Sequence, residues 1–210
     1  MFGCLVGSEM CIRDRQDAVQ KYGHANASTI PFFEHDLVAM IEGRGNHPCI
    51  VQWETFNEGD CWAVFDAAGP PHSVNDTVAL ARRTDWQHRL VDTDSGGGAN
   101  DQPEGDVNDI HSYPDPGDPT PKGNKYAMIG EFGGIGAFVA GKEWVPGKCH
   151  TYEKVDTPQD EADTYVKMAA KILSQIGHLS ASVYTQITDV ELECDGFLNY
   201  DRSTKFTPAQ

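Results

Sequence analysis

Apolar positions along this chain alternate between helical spacing and short continuous runs, and that alternation sets the first reading. Over Pro31 to Gly43, Phe33, Leu37, Met40 and Ile41 recur at helical spacing, with a proline at the start and a glycine at the stop. Val74 to Arg83 is a shorter helix with Val74, Val78 and Ala81 on one side. The clearest helix spans Pro158 to Ile176, where Ala162, Tyr165, Val166, Ala169, Ile172, Leu173 and Ile176 form one apolar stripe. Thr157 caps it, Pro158 suits its first position, and Gly177 ends it. Between the helices lie five compact runs that read as strands: 48–57, 89–95, 109–113, 126–131 and 181–188. Buried strands separated by helices imply an α/β protein with a largely parallel sheet. There is no internal repeat, and no linker divides the chain.

Polar residues gather where these runs end. Asn57 and Glu58 close the first, Asp94 and Ser95 the second, His111 and Tyr113 the third, Glu131 the fourth, and Gln186 and Asp189 the last. Singly, each has a plain explanation: Asp and Asn cap helices, and an isolated His is usually just hydrogen-bonded. Together they match a (β/α) barrel, which keeps its active site at the C-terminal ends of its strands. "FNEG" and "GEFGG" each set a glutamate against a glycine, which lets the backbone leave the strand. Two carboxyl groups flanking a bond are what glycoside hydrolysis requires. Glu54, on the same strand as Glu58, is separated from it by about 13 Å of rise and cannot be that partner. It reads as structural, paired with an interior base.

Composition narrows the alternatives. The 210 residues can bury one sizeable core, and a net charge of −16 with no basic run argues against a nucleic-acid partner. No apolar run approaches the roughly 20 residues of a membrane span, and "MFGCLVG" lacks a basic region for a signal peptide. The compartment therefore stays open. Six cysteines are scattered without a CxxC pair, so they read as free thiols, and neither a metal nor another cofactor is expected. "GEFGGIGAF" carries an acidic residue where nucleotide phosphates would want bare amides. "DTDSGGGANDQPEGDVND" has oxygen ligands for calcium but lacks EF-hand spacing, and no GxSxG elbow exists for an esterase.

Residues 9–15 stand apart. Their codons back-translate to the mosaic-end adapter of transposon-based sequencing libraries, so residues 1–15 are expected to be non-native and fold reasoning begins near Gln16.

Four blocks carry a family likeness: "HPCIVQWETFNEG", "GDVNDIHSYPDP", "YAMIGEFGG" and "VYTQITDVELECDGFLNYDR". In that order they resemble the catalytic barrel of glycoside hydrolase family 2, which holds β-galactosidases, β-glucuronidases and β-mannosidases. The resemblance covers most of residues 30–202. It implies a partial TIM (β/α)8 barrel over 16–210, strands four to eight with their helices. The first three βα units and the β-sandwich domains would lie upstream, as partners in the same chain. It also implies a retaining hydrolase of terminal β-glycosides, with Glu58 as general acid/base and Glu131 as nucleophile, about 5 Å apart. Glu58 would be held protonated, and Glu131 ionised by donors such as Tyr113. Asn57 would bind the sugar 2-hydroxyl, His111 would line the pocket, and Trp144 would stack on a sugar face. Gln186 and Asp189 complete the expected substrate contacts. "Glu58-Gly59-Asp60-Cys61-Trp62" departs from the aromatic often found shortly after this motif, which leaves subsite contacts there open. A barrel without three strands would be unstable or inactive by itself. The rival reading is a non-catalytic carbohydrate-binding protein on the same barrel.

Overall fold

A computed structural model describes residues 13–19, 26–59, 61–98 and 103–207. They divide into two compact units, residues 1–109 with 122–126 and residues 110–121 with 127–210. Strands β4 (Val107–Ser112) and β5 (Tyr126–Gly133) have residues in both.

In the first unit, β1 (Asp14–Asp17), β2 (Ile50–Asn57) and β3 (Leu90–Ser95) form a parallel sheet in that order. Helix α1 (Ile30–Arg44) joins β1 to β2, and α2 (Cys61–Ala68) and α3 (Val74–Thr84) join β2 to β3. The expected helical stripes are the ones that bury. Leu37 and Ile41 of α1 pack with Val78 and Ala81 of α3 against Ile50, Trp53 and Val91 of the sheet. A second cluster forms around Phe56, whose ring stacks on Phe33 at 5.3 Å and meets Phe65 edge-on at 4.9 Å. Full burial of one such ring stabilises by roughly 1.5–3 kcal/mol. Ser73 starts α3 with a capping box: its hydroxyl accepts from the Asp76 N–H, and Asp76 Oδ2 accepts from the Ser73 N–H. Cys49 and Cys61 are buried free thiols here, as expected.

In the second unit, β8 (Leu179–Thr185) pairs parallel with β5, and β4 lies on β5's other side. A short parallel pair, β6 (Ile135–Ala137) with β7 (Glu153–Val155), follows β5. Helix α4 (Pro158–Leu173) begins at Thr157, whose side chain forms a capping box with Asp160. Ile129, Phe132, Ile135 and Met168 make the core.

Several expectations need correction. The free-thiol reading fails at Cys149 and Cys194, which form a disulfide across 45 residues of sequence. Spacing could not show it, because the two segments meet through the His150–Glu193 bridge. Helix α4 stops at Leu173 with Ser174 as its C-cap, ahead of Gly177. Its buried face centres on Glu161 and Met168, so the expected stripe is turned: Val166, Leu173 and Ile176 are 64–72% exposed. The last strand is 179–185, set back from 181–188. Strand β1, helix α2 and the β6–β7 pair are additional to the elements read from the sequence. Residues 1–12, most of the adapter-like run, lie outside the described residues. Asp14 and Arg15 of that run sit in β1, where the Asp14 N–H donates to the Cys49 carbonyl at 2.9 Å. That backbone bond is open to any side chain, but the Arg15 guanidinium is also engaged, with Glu54 and Asp109.

Candidate active site

In the first unit, the sheet's C-terminal edge is built by β2 and β3 in register. Phe56 pairs with Asp94 and Asn57 with Ser95, and the Glu58 N–H donates to the Ser95 carbonyl at 2.9 Å. Glu58 then adopts φ 49° and Gly59 φ 58°, both left-handed. The sequence pattern assigns this turn to the glycine; the glutamate shares it. A left-handed non-glycine residue costs on the order of 1 kcal/mol, a strain that concentrates at functional positions.

Beneath this edge the unit is unusually polar. Glu54 and Asp92 are fully buried, and Asp109 nearly so. Arg15 pairs with two of them: its Nε lies 2.7 Å from Glu54 Oε2, and its Nη1 donates to Asp109 Oδ2 at 2.8 Å. Glu54 thus has the interior base expected of it. Burial pushes its carboxyl well above the usual range, and the Arg15 charge pulls part of the way back. Asp92 is pushed well up by burial and then by the Asp109 charge. Two acids of the candidate calcium loop are engaged by the protein itself. Asp106 accepts from the Val91 N–H at 2.8 Å and pairs with Arg82 at 2.9 Å; Asp109 also takes the Ser95 hydroxyl at 2.7 Å.

In the second unit, Glu131 near the end of β5 is met by two side chains from β4 and the residue after it. The Tyr113 hydroxyl donates to Glu131 Oε2, and His111 Nδ1 lies 3.7 Å from the same oxygen. Burial, and then the hydrogen bond to Glu131, push the Tyr113 phenol above its ordinary range. It therefore stays an O–H donor at neutral pH, and a donated hydrogen bond favours the ionised carboxylate. Gly133 and Gly134 follow with φ 102° and 63°. A Cβ at Gly133 would strike the Tyr184 ring and one at Gly134 the Tyr152 ring, so both positions need glycine. Tyr152, which the sequence reading passed over, lies face to face on Tyr113 with centroids 3.8 Å apart and planes 6° apart. Its one trace in the sequence is Gly134, which clears its space.

The remaining expected contacts take other partners. Trp144 is 46% exposed and stacks on Tyr200 at 5.8 Å. The Gln186 amide donates to Asp195 Oδ1 at 2.8 Å. Asp189 is buried, and its Oδ1 accepts from Lys205 Nζ and from the Gly196 N–H, both at 2.9 Å. That arrangement anchors a loop: a Cβ at Gly196 would overlap the backbone of Thr188 and Asp189. Burial also pushes Glu161 up to about 7 and Asp195 to about 6. Thus His111, Tyr113 and Glu131 come together, Gln186 and Asp189 serve the loop after β8, and Trp144 belongs to a separate aromatic pair.

No family model and no curated protein matches the chain. Solved structures do. A Faecalibacterium prausnitzii β-glucuronidase is 18% identical with a TM-score of 0.57, the match covering 84% of this chain and 33% of that one. A Bifidobacterium dentium β-glucuronidase, complexed with coumarin-3-O-glucuronide, is 20% identical at TM-score 0.57, over 86% and 32%. A Ruminococcus gnavus β-glucuronidase, in complex with D-glucaro 1,5-lactone, is 17% identical at 0.52, over 86% and 35%. The chain spans about a third of the length of these structures. At such identities the likeness is one of fold: a mixed α/β chain with parallel sheets, similar to part of a glycoside hydrolase. Among the described residues no helix is long and apolar enough to cross a membrane.

Proposed function

We propose that this chain is a portion of a retaining β-glycosidase, with Glu131 as nucleophile and Glu58 as general acid/base. The observation that carries the reading is the Tyr113 hydroxyl donated to Glu131 beside His111. It is the environment an ionised nucleophile needs, in a fold similar to that of β-glucuronidases. The left-handed turn at Glu58, at the end of another parallel strand, supports the second assignment. In the first step Glu131 attacks the anomeric carbon while Glu58 protonates the departing oxygen; in the second, Glu58 takes a proton from water, which cleaves the glycosyl ester. This requires the two carboxyl groups to stand about 5 Å apart. Asn57 and His111 are proposed sugar contacts, and a terminal β-glycoside is the proposed substrate class.

The same proposal makes the chain part of a (β/α)8 barrel, its sheets continued by strands outside residues 13–207. The exposed Val166 and Leu173 of α4, Ile176 just beyond it, and β8 at the end of its strand order support that. The test is turnover of aryl β-glucuronides, β-galactosides and β-mannosides by the longer protein the proposal calls for. Glu131→Gln should lose about 10⁶-fold, as removal of a nucleophile does elsewhere. Glu58→Gln should lose about 10²–10⁴-fold with a poor leaving group, and far less with one that needs no protonation. Sugar binding without turnover in the unmutated protein would favour the non-catalytic reading; full activity in Glu131→Gln would remove the nucleophile assignment.

A further inference from the structure

The Cys149–Cys194 disulfide and the Tyr113–Tyr152 stack are joined by three residues of backbone, and that junction has a consequence for Glu131. The Cys194 N–H donates to the His150 carbonyl at 2.9 Å, and the His150 N–H donates to the Leu192 carbonyl at 2.6 Å. With the disulfide, these bonds clamp residues 149–150 to 192–194. The next residues turn onto the end of β5. The Thr151 hydroxyl donates to the Gly134 carbonyl, and the Tyr152 N–H donates to the same oxygen at 3.0 Å. Tyr152 is thereby laid on the face of Tyr113, in the space that Gly134 leaves open. The Tyr113 hydroxyl has one direction in which it meets Glu131, and the stacked ring restricts rotation away from it.

We propose that Tyr152 is a positioning residue for the Tyr113–Glu131 hydrogen bond, and that the Cys149–Cys194 disulfide holds it in place, so that the geometry around Glu131 depends on the oxidation state of this pair. The catalytic meaning rests on the reading of Glu131 as nucleophile; the mechanical coupling does not. Loss of the coupling is a balanced exchange. A dithiol attacks one sulfur, the S–S bond breaks, the dithiol closes to its own disulfide, and Cys149 and Cys194 are left as two thiols. Residues 150–152 then keep their backbone hydrogen bonds and the Thr151 hydroxyl's bond to Gly134, and Tyr152 is itself half exposed.

The geometry predicts a spectroscopic signature that needs no substrate. Two rings face to face at 3.8 Å shift each other's ring protons upfield. In the oxidised 210-residue chain with labelled tyrosines, the Tyr113 ring signals should lie upfield, and its phenol should ionise at higher pH than exposed tyrosines. Tyr152→Phe keeps a ring on Tyr113 and should preserve both properties. Tyr152→Leu, a dithiol reductant, and the double change Cys149→Ser with Cys194→Ser should each lose the upfield shift and bring the phenol titration back towards ordinary values. Unchanged Tyr113 signals in the reduced chain and in Tyr152→Leu would overturn the proposal. If Tyr152→Leu also loses helix signal, the reduced unmutated chain decides. Failure of the glycosidase reading shows separately, as a protein that cleaves no glycoside while the Tyr113 signals still respond to reduction.

Discussion

The two units of this chain are held by different means. In the first, helices α1 and α3 lay their apolar faces on a parallel sheet, and Leu37, Ile41, Trp53, Val78 and Val91 close into a core without a covalent aid. In the second, part of α4's apolar stripe faces outward, and a disulfide, aromatic stacks and a buried Lys205–Asp189 pair add to a smaller apolar core. The sheet-and-helix unit carries Glu58 on a strained turn; the stapled unit carries Glu131 beneath stacked tyrosines. Rigidity around a carboxylate can be reached by burial or by cross-linking, and this chain uses both.

Removing the staple separates the two most strongly. By loop-closure entropy a disulfide spanning 45 residues stabilises by roughly 4 kcal/mol. Reductant, or Cys149→Ser with Cys194→Ser, should therefore lower the unfolding midpoint of the second unit and leave the first unchanged. Domain-resolved hydrogen exchange reads this directly, and equal loss in both units would blur the contrast. Such a bond also fits an oxidising compartment.

A smaller contrast comes from Glu161, fully buried on α4, where its Oε2 accepts the Ala137 N–H at 2.8 Å. Burial pushes its carboxyl up to about 7, against an ordinary value of 4.5, with Lys205 pulling it partly back. The folded state therefore holds a proton that the unfolded chain has released. The contribution is fully present below the unfolded value and is lost as pH rises through about 7. Glu161→Gln keeps an acceptor for Ala137 and should recover about 3 kcal/mol at high pH, with little change at low pH. Denaturant melts at the two extremes of pH check this. A pH-independent effect would contradict it.

The regular β/α alternation explains what could be read in advance. Val74, Val78 and Ala81, read as one helix side, are all completely buried, and Glu131 lies on its expected strand near the end. These features follow from local periodicity, which a sequence displays directly. Tyr152, the Cys149–Cys194 bond and the Lys205–Asp189 pair could not be read, because each joins segments brought together only by loops. The α4 stripe misled for a related reason: periodicity gives a helix's apolar side, while the neighbours present decide which part of it is covered.

The smallest effect is expected to be equal in the two units. Among the described residues each has one capping box, Ser73 with Asp76 and Thr157 with Asp160. Ser73→Ala and Thr157→Ala should each cost about 1 kcal/mol, because a cap acts on its own helix however the surrounding unit is held. Unequal losses, read by chemical denaturation, would show that one helix leans on its cap more than its packing suggests.

The most direct measurement is covalent trapping. The longer protein would be incubated with a 2-deoxy-2-fluoro β-glycoside bearing an activated leaving group, then digested and mapped by mass spectrometry. The fluorine slows hydrolysis of the glycosyl ester, so the account predicts one sugar on the peptide containing Glu131, and none in Glu131→Gln. A label on another carboxylate, or turnover with no ester formed, would contradict it.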